Sequence, residues 1–156
     1  MADFVGKQAP DFKLLDDENK ERSLAEFKGK IVLFYFYPKD MTSGCTVEAQ
    51  CLRDRMNDLK ALNVQVLGVS IDDVKSHQKF KEKEHLNYPL LADTDKKVVN
   101  MYGVWKEKFF MGRKYMGISR ESFLIDKKGV IVKHYEKVKP KEHAEEVIKD
   151  VKGMGL

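Results

Sequence analysis

The chain has 156 residues, 42% of them apolar and 35% charged, with 29 basic and 25 acidic side chains. This composition is globular rather than disordered, and the length suits one domain, spanning 1–156, with a core of its own. A net charge of +4 without a basic run interleaved with stacking aromatics gives no nucleic-acid signal. No apolar run approaches the ~18 residues of a membrane span, and Met1-Ala2-Asp3-Phe4 lacks the basic and apolar regions of a secretory leader. Two cysteines are too few for a disulfide scaffold and favour redox chemistry. The expectation is a cytoplasmic chain with no membrane or nucleic-acid partner.

In chain order, Gly6 to Leu15 reads as a loop and a first strand, Asp16 to Lys20 as a polar turn, and Glu21-Arg22-Ser23 as a short returning strand. Ser23 suits an N-cap, with Glu26 three residues on completing a capping box, and Gly29 ends that turn. Ile31–Tyr37 has no polar alternation and reads as a central strand buried on both faces. Ala49, Leu52, Met56, Leu59 and Leu62 recur at helical spacing, predicting one helix from Cys45 to about Leu62. Val64–Ile71 is a second buried strand. Asp72-Asp73 precede a helix from about Val74 to His85, Tyr88–Asp93 is a short extended piece, and Asp95 caps a short helix through Val98, Val99 and Tyr102. Gly103 to Gly117 is irregular or hairpin-like. Ser122–Ile125 and Val130–His134 form a hairpin around Asp126-Lys127-Lys128-Gly129. Pro140 opens a last helix with the stripe Ala144, Val147, Ile148 and Val151. The order predicts an α/β fold with a mixed sheet flanked by helices.

The chemistry concentrates between Pro38 and Cys51. A buried strand ends at Pro38, a polar loop turns the chain, and Cys45 sits where a helix begins. The thiolate is the reactive form of cysteine, and the unpaired N–H groups and positive dipole of a first helical turn favour it. Thr42 supplies a hydroxyl that both donates and accepts, and Gly44 lets the backbone approach closely. The plainer reading, an inert buried cysteine, does not explain why strand end, proline, hydroxyl, glycine and helix start converge on one sulfur.

Pro38-x-x-x-Thr42-x-x-Cys45 resembles the active-site signature of peroxiredoxins, and Pro38 to Ala49 as a whole resembles their bacterioferritin comigratory protein, or peroxiredoxin Q, subgroup. Val5 to Phe12 and Ser119 to Asp126 are similar to the same group. The resemblance implies a thioredoxin-like fold with an N-terminal β-hairpin extension. It also implies a thiol-dependent peroxidase acting on hydrogen peroxide and organic hydroperoxides. By it, Cys45 would be the peroxidatic cysteine and would pass through a sulfenic acid. Thr42 would hydrogen-bond the peroxide, Arg120 would stabilise the thiolate, and Pro38 would shield the site. Arg53, Arg55 and Arg113 stand as substitutes for Arg120. A thioredoxin-like reductant, no cofactor, no metal, and a monomer or weak homodimer are expected with it.

Cys51 has two readings. It resolves Cys45 through an intramolecular disulfide, or it is a small core residue and an external thiol reduces Cys45 directly. Many members of the group carry Cys-x-x-x-x-Cys, and here Gln50 holds that second position. Six residues of helix rise about 9 Å and rotate the second side chain about 120° away, whereas a disulfide needs Cα atoms within roughly 7 Å. A resolving Cys51 therefore requires the helix to unwind. Glu48 reads either as a hydrogen-bonding group near the site or as a first-turn acid favoured by the dipole, the second being the default. His77, His85, His134 and His143 read as surface or core residues without metal-ligand spacing. The cluster from Trp105 to Met116 reads as core or flap, with the pocket edge or a dimer contact as the alternative. A disulfide isomerase would want a second thiol where Glu48 stands, and a non-catalytic binding or chaperone protein of the same fold is the remaining alternative.

Overall fold

The computed structural model describes residues 3–156. Met1 and Ala2, half of the stretch read for a leader, lie outside them. The strands are β1 (Lys13–Asp16), β2 (Glu21–Ser23), β3 (Ile31–Phe36), β4 (Val64–Ser70), β5 (Leu90–Ala92), β6 (Trp105–Phe110), β7 (Arg113–Ile118), β8 (Glu121–Ile125) and β9 (Ile131–Tyr135). The helices are α1 (Ser43–Asp54), α2 (Met56–Ala61), α3 (Val74–Glu84), α4 (Lys97–Met101) and α5 (His143–Met154). Seven strands make one sheet in the order β2-β1-β5-β4-β3-β8-β9, and β6 and β7 pair only with each other. None of the described helices is long and apolar enough to cross a membrane.

β3 is the centre of this sheet because its side chains suit burial on both faces. Ile31, Leu33 and Tyr35 enter one core with Ala49, Leu52, Leu59, Phe80 and Val147, while Val32, Phe34 and Phe36 enter the other with Phe12, Val99, Tyr102 and Phe123. β4 runs parallel to β3 through the α1–α2 crossover, and β8 runs antiparallel on its other side. That antiparallel register pairs Phe36 with Glu121. The residue before β8, Arg120, is thereby carried to the end of the sheet where β3 hands over to α1, a place where α/β folds commonly seat ligands.

The mixed sheet and its helices follow the predicted order, with four local differences. The helix after Cys45 breaks at Arg55 (φ −100°, ψ 13°), so it is two segments. The turn after β2 is a 3-10 helix, Ala25–Phe27, whose Leu24 and Ala25 amides are capped by Asp11 Oδ1 at 3.0 and 3.2 Å. Ser23 contributes only its own N–H, given to Glu26 Oε1 at 2.9 Å. Asp93 rather than Asp95 serves α4, its Oδ2 accepting from the Val99 amide at 2.8 Å. Pro140 lies in a turn that precedes α5, which starts at His143. For Gly103 to Gly117 the structure takes the hairpin of the two sequence readings, β6 with β7.

One close approach ties the sheet to the helix layer. A Cβ on Gly68 in β4 would stand 2.9 Å from Tyr35 Cζ and 3.0 Å from Leu90 Cδ2. The Tyr35 hydroxyl meets that of Tyr88 at 2.8 Å, and Tyr88 in turn donates to the Ala49 carbonyl of α1 at 3.2 Å. Gly68→Ala is therefore expected to lower the unfolding free energy by about 1–3 kcal/mol through overpacking, as read by urea denaturation. A variant as stable as the parent would show that this contact is slack.

Candidate active site

The loop from β3 to α1 is held from below by a buried polar network. Tyr37 donates to Asp40 Oδ1 at 2.6 Å, and Asp40 Oδ2 accepts from Ser76 at 2.8 Å and stands 2.7 Å from His77 Nδ1. His77 Nε2 lies 2.8 Å from the Leu91 carbonyl, which can only accept. With a carbonyl at one ring nitrogen and a carboxylate at the other, both nitrogens donate, so the ring is an imidazolium. Burial opposes that charge, but the Asp40 hydrogen bond and charge outweigh it and hold His77 above the ordinary histidine value. The Asp40 amide donates to Asp72 Oδ2 at 2.9 Å, which also accepts from Ser70 at 2.6 Å. Asp40 is thus pinned through both backbone and side chain. Sequence reading missed this network: Asp40 lies inside the motif, but nothing in the chain marks a histidine 37 residues on as its partner.

From Asp40 the chain turns through Met41, a non-glycine residue at φ 63°. Thr42 follows at the N-cap position of α1, but its hydroxyl does not cap the helix; it donates to the Lys39 carbonyl at 2.9 Å. The first helical bond runs from the Thr46 amide to the Thr42 carbonyl at 2.9 Å. The amides of Ser43, Gly44 and Cys45 therefore have no acceptor among the described residues, as the start of a helix requires. Pro38, without an N–H, sits half-buried where β3 ends.

Cys45 is 1% exposed, and its sulfur accepts from Arg120 Nη2 at 3.3 Å. The other arm of the same guanidinium, Nη1, donates to Glu48 Oε1 at 2.7 Å. Gly44 makes this approach possible, since a Cβ there would stand 3.1 Å from Nη2. Burial works against the Arg120 charge, and the interactions with Glu48 and then Cys45 more than compensate, raising its affinity for its proton. Glu48 is wholly buried, one turn below the sulfur, and its Oε2 has no partner. Burial pushes its carboxyl up to about 7 against the pull of Arg120. Of the two sequence readings of Glu48, the structure takes the hydrogen bond near the site: the side chain is buried and accepts from Arg120 rather than standing as a plain first-turn acid. Lys108, midway along the β6–β7 hairpin, feels the charges of Arg120 and Cys45, and burial together with Arg120 lowers it.

The substitute arginines are engaged elsewhere. Arg53 donates to the Glu84 carbonyl at 2.6 Å, Arg55 pairs with Asp58 and Glu145, and Arg113 is exposed at the hairpin tip. Cys51 is half-buried, its sulfur 3.9 Å from the Lys141 carbonyl, and both cysteines are free. Burial, then the Asp54 and Glu48 charges, raise the Cys51 thiol above its ordinary value. A cleft of about 460 Å³ between the first turn of α1 and the turn before α5 is lined by Ser43, Gly44, Val47 and residues 139–142. A second cleft, of about 450 Å³ between β1 and α4, contains neither a cysteine nor an arginine.

The AhpC/TSA family model matches residues 5–134. Peroxiredoxin Bcp of Bacillus subtilis is 44% identical over 96% of each chain, and Peroxiredoxin Bcp of Escherichia coli K12 is 47% identical over 92% of each. Among solved structures, the bacterioferritin comigratory protein of Xanthomonas campestris, described for its alkyl peroxide reduction activity, superposes with a TM-score of 0.88 at 32% identity, covering 93% of this chain and 92% of that one. A PrxQ of Xylella fastidiosa gives 0.92 at 31% identity over 97% of each chain.

The buried Glu48 makes stability depend on pH. Its folded-state value of about 7 lies above the ordinary 4.5, so folding favours the protonated carboxyl. That contribution is whole below the unfolded value and is lost as pH rises through the folded one. Between about pH 5 and pH 8 the unfolding free energy of the parent should fall by about 2–4 kcal/mol relative to Glu48→Gln. Parallel pH profiles for the two proteins would mean that Glu48 is ionised throughout.

Proposed function

We propose a peroxide-reducing cycle for these residues from one premise: the chain belongs to the AhpC/TSA family, within its bacterioferritin comigratory protein/peroxiredoxin Q group, and is a thiol-dependent peroxidase. The observation that carries the cycle is the Arg120 guanidinium spanning Cys45 Sγ at 3.3 Å and Glu48 Oε1 at 2.7 Å. Cys45 loses its proton to solvent, and its thiolate attacks the terminal oxygen of a hydroperoxide. An S–O bond forms, the O–O bond breaks, and the leaving oxygen takes up a proton to become an alcohol, or water when the substrate is hydrogen peroxide. The sulfur is oxidised to a sulfenic acid and the peroxide is reduced by the same electron pair.

Negative charge moves from sulfur to the leaving oxygen during this step, so donors fixed in advance lower the barrier most. Arg120 supplies a permanent charge with two forked N–H groups, and the free Cys45 amide adds the helix N-terminus. Thr42 gives its hydrogen to Lys39, which leaves its oxygen lone pairs to accept from the peroxide O–H and orient it. Glu48 fixes the guanidinium. Its partial protonation near neutral pH keeps a second full negative charge away from the thiolate. Pro38 narrows access to the sulfur.

In the second half of the cycle, Cys51 attacks the sulfenic acid, a disulfide forms and water leaves. Both cysteines lie on α1, six residues apart, so this needs α1 to unwind. The break at Arg55 supports such unwinding, because it lets the first segment open while α2 stays packed through Met56 and Leu59. A thioredoxin-like dithiol then reduces the disulfide. With α1 intact the alternative applies, and an external thiol attacks the Cys45 sulfenic acid directly. We place this chemistry in the cytoplasm, in a monomer or weak homodimer, on hydrogen peroxide and organic hydroperoxides.

Cys45→Ser should abolish peroxide consumption with dithiothreitol, and Arg120→Lys should slow it roughly 10²-fold or more, because lysine keeps the charge but cannot span both partners. A near-parental rate in Arg120→Lys would remove the guanidinium from the mechanism. Cys51→Ser separates the two ways of closing the cycle. Intramolecular resolution predicts that thioredoxin-dependent turnover falls to background while Cys45 still oxidises; full turnover in this variant would assign reduction to an external thiol.

A further inference from the structure

The β6–β7 hairpin leaves the body of the protein, hydrogen-bonded to no strand of the main sheet. Phe110 pairs with Arg113, so Met111 and Gly112 form a two-residue turn with φ of 51° and 77°. Turns of this kind favour asparagine, aspartate or glycine at the first position, and a methionine there is conformationally costly. The side chains at and before the turn are the most exposed large apolar groups among the described residues: Phe109 67%, Phe110 67% and Met111 87%. Neither the core nor the turn needs them.

Charge surrounds this apolar tip. The two strands carry Lys106, Lys108, Arg113 and Lys114 against the single acid Glu107. Lys106 is paired with Glu121 at 2.8 Å and Lys108 donates to the Ile118 carbonyl at 2.8 Å. Arg113 and Lys114 flank the turn; the Lys114 ammonium lies 5.5 Å over the Phe109 ring and 3.8 Å from the exposed Glu107 carboxylate. A few exposed aromatic and aliphatic side chains with cations on their shoulders match the boundary of an anionic bilayer, where rings sit at headgroup depth and basic side chains meet lipid phosphates. A second copy of the chain fits less well. It would oppose two cation-rich hairpins.

We propose that the β6–β7 hairpin docks the protein on an anionic lipid surface, seating Phe109, Phe110 and Met111 among the acyl chains with Arg113 and Lys114 against the headgroups. Such docking is shallow and needs no spanning segment, so the lack of an apolar run long enough to cross a bilayer does not oppose it. Phe110, Tyr115 and Lys108 share one face of the hairpin through the Lys108–Tyr115 pairing and the strand alternation. The docking does not rest on the proposed peroxidase cycle.

Co-sedimentation with vesicles of phosphatidylcholine alone, or of phosphatidylcholine with phosphatidylglycerol, tests it. The parent protein should pellet with the phosphatidylglycerol vesicles at low salt, be released as salt rises, and stay in solution with phosphatidylcholine alone. The combined variant Phe109→Ser, Phe110→Ser, Met111→Asn should lose the binding to the level of the vesicle-free control. Its circular dichroism and hydrogen peroxide turnover should remain parental, since asparagine suits the turn and none of the three touches the site. Parent protein that stays in solution with both vesicles overturns the proposal, and so does a variant that pellets like the parent. Sedimentation velocity covers the other occupant: a parental dimer that the variant abolishes, without vesicle binding, would assign the tip to a contact between copies. Vesicle binding is read without turnover, so failure of the peroxidase cycle would show separately in the hydrogen peroxide assay.

Discussion

One guanidinium held between a thiol and a buried carboxylate is the constraint on which the rest of this structure depends. Arg120 reaches Cys45 with one arm and Glu48 with the other, and both acids are almost fully removed from water. A charge in such a place is stable only when its partners are fixed. The surroundings act as that fixing. Gly44 clears space for the guanidinium, and α1 sets the spacing of Cys45 and Glu48 one turn apart. The antiparallel register of β3 and β8 delivers Arg120 from 75 residues away in sequence. Removing either acid leaves the cation under-compensated, and removing the cation leaves a buried carboxylate alone.

A second buried ion pair, Asp40 with His77, does for the loop what Glu48 does for the arginine. It fixes the segment between β3 and Thr42 from α3, so that Lys39 presents its carbonyl to the Thr42 hydroxyl. Gln50 and Arg53 anchor α1 to Glu84, and Tyr88 takes the Ala49 carbonyl, but the segment ends at Arg55 and buries few large side chains of its own, with Leu52 the main one. In the proposed cycle the loop and Arg120 serve the attack on peroxide, and unwinding of α1 serves resolution.

The parts of this design that were legible in the chain are those written locally. The uninterrupted Ile31–Tyr37 run, the helical spacing after Cys45 and the turn at Asp126–Gly129 each carry their own period or turn chemistry, and they appear in the structure as β3, α1 with α2, and the β8–β9 hairpin. Cys45, Thr42, Gly44 and Pro38 were marked because they crowd into eight residues. Arg120 stands out in the chain only through a resemblance and its place before a strand, and strand register is what shows that it reaches the sulfur. What stayed hidden depends on partners distant in sequence. Glu48 looks like any first-turn acid until Arg120 is seen above it. Asp11 and Asp93 cap turns that Ser23 and Asp95 were nearer to in sequence. His77 carries no local sign that its ring is charged.

The central claim is that Cys45, the sulfur beneath Arg120, is the one that meets the oxidant. It is tested most directly by exposing the reduced protein to one equivalent of hydrogen peroxide in the presence of a sulfenic-acid trap and locating the adduct by mass spectrometry. The account predicts the trap on Cys45. A trap found on Cys51, with Cys45 unmodified, would contradict it.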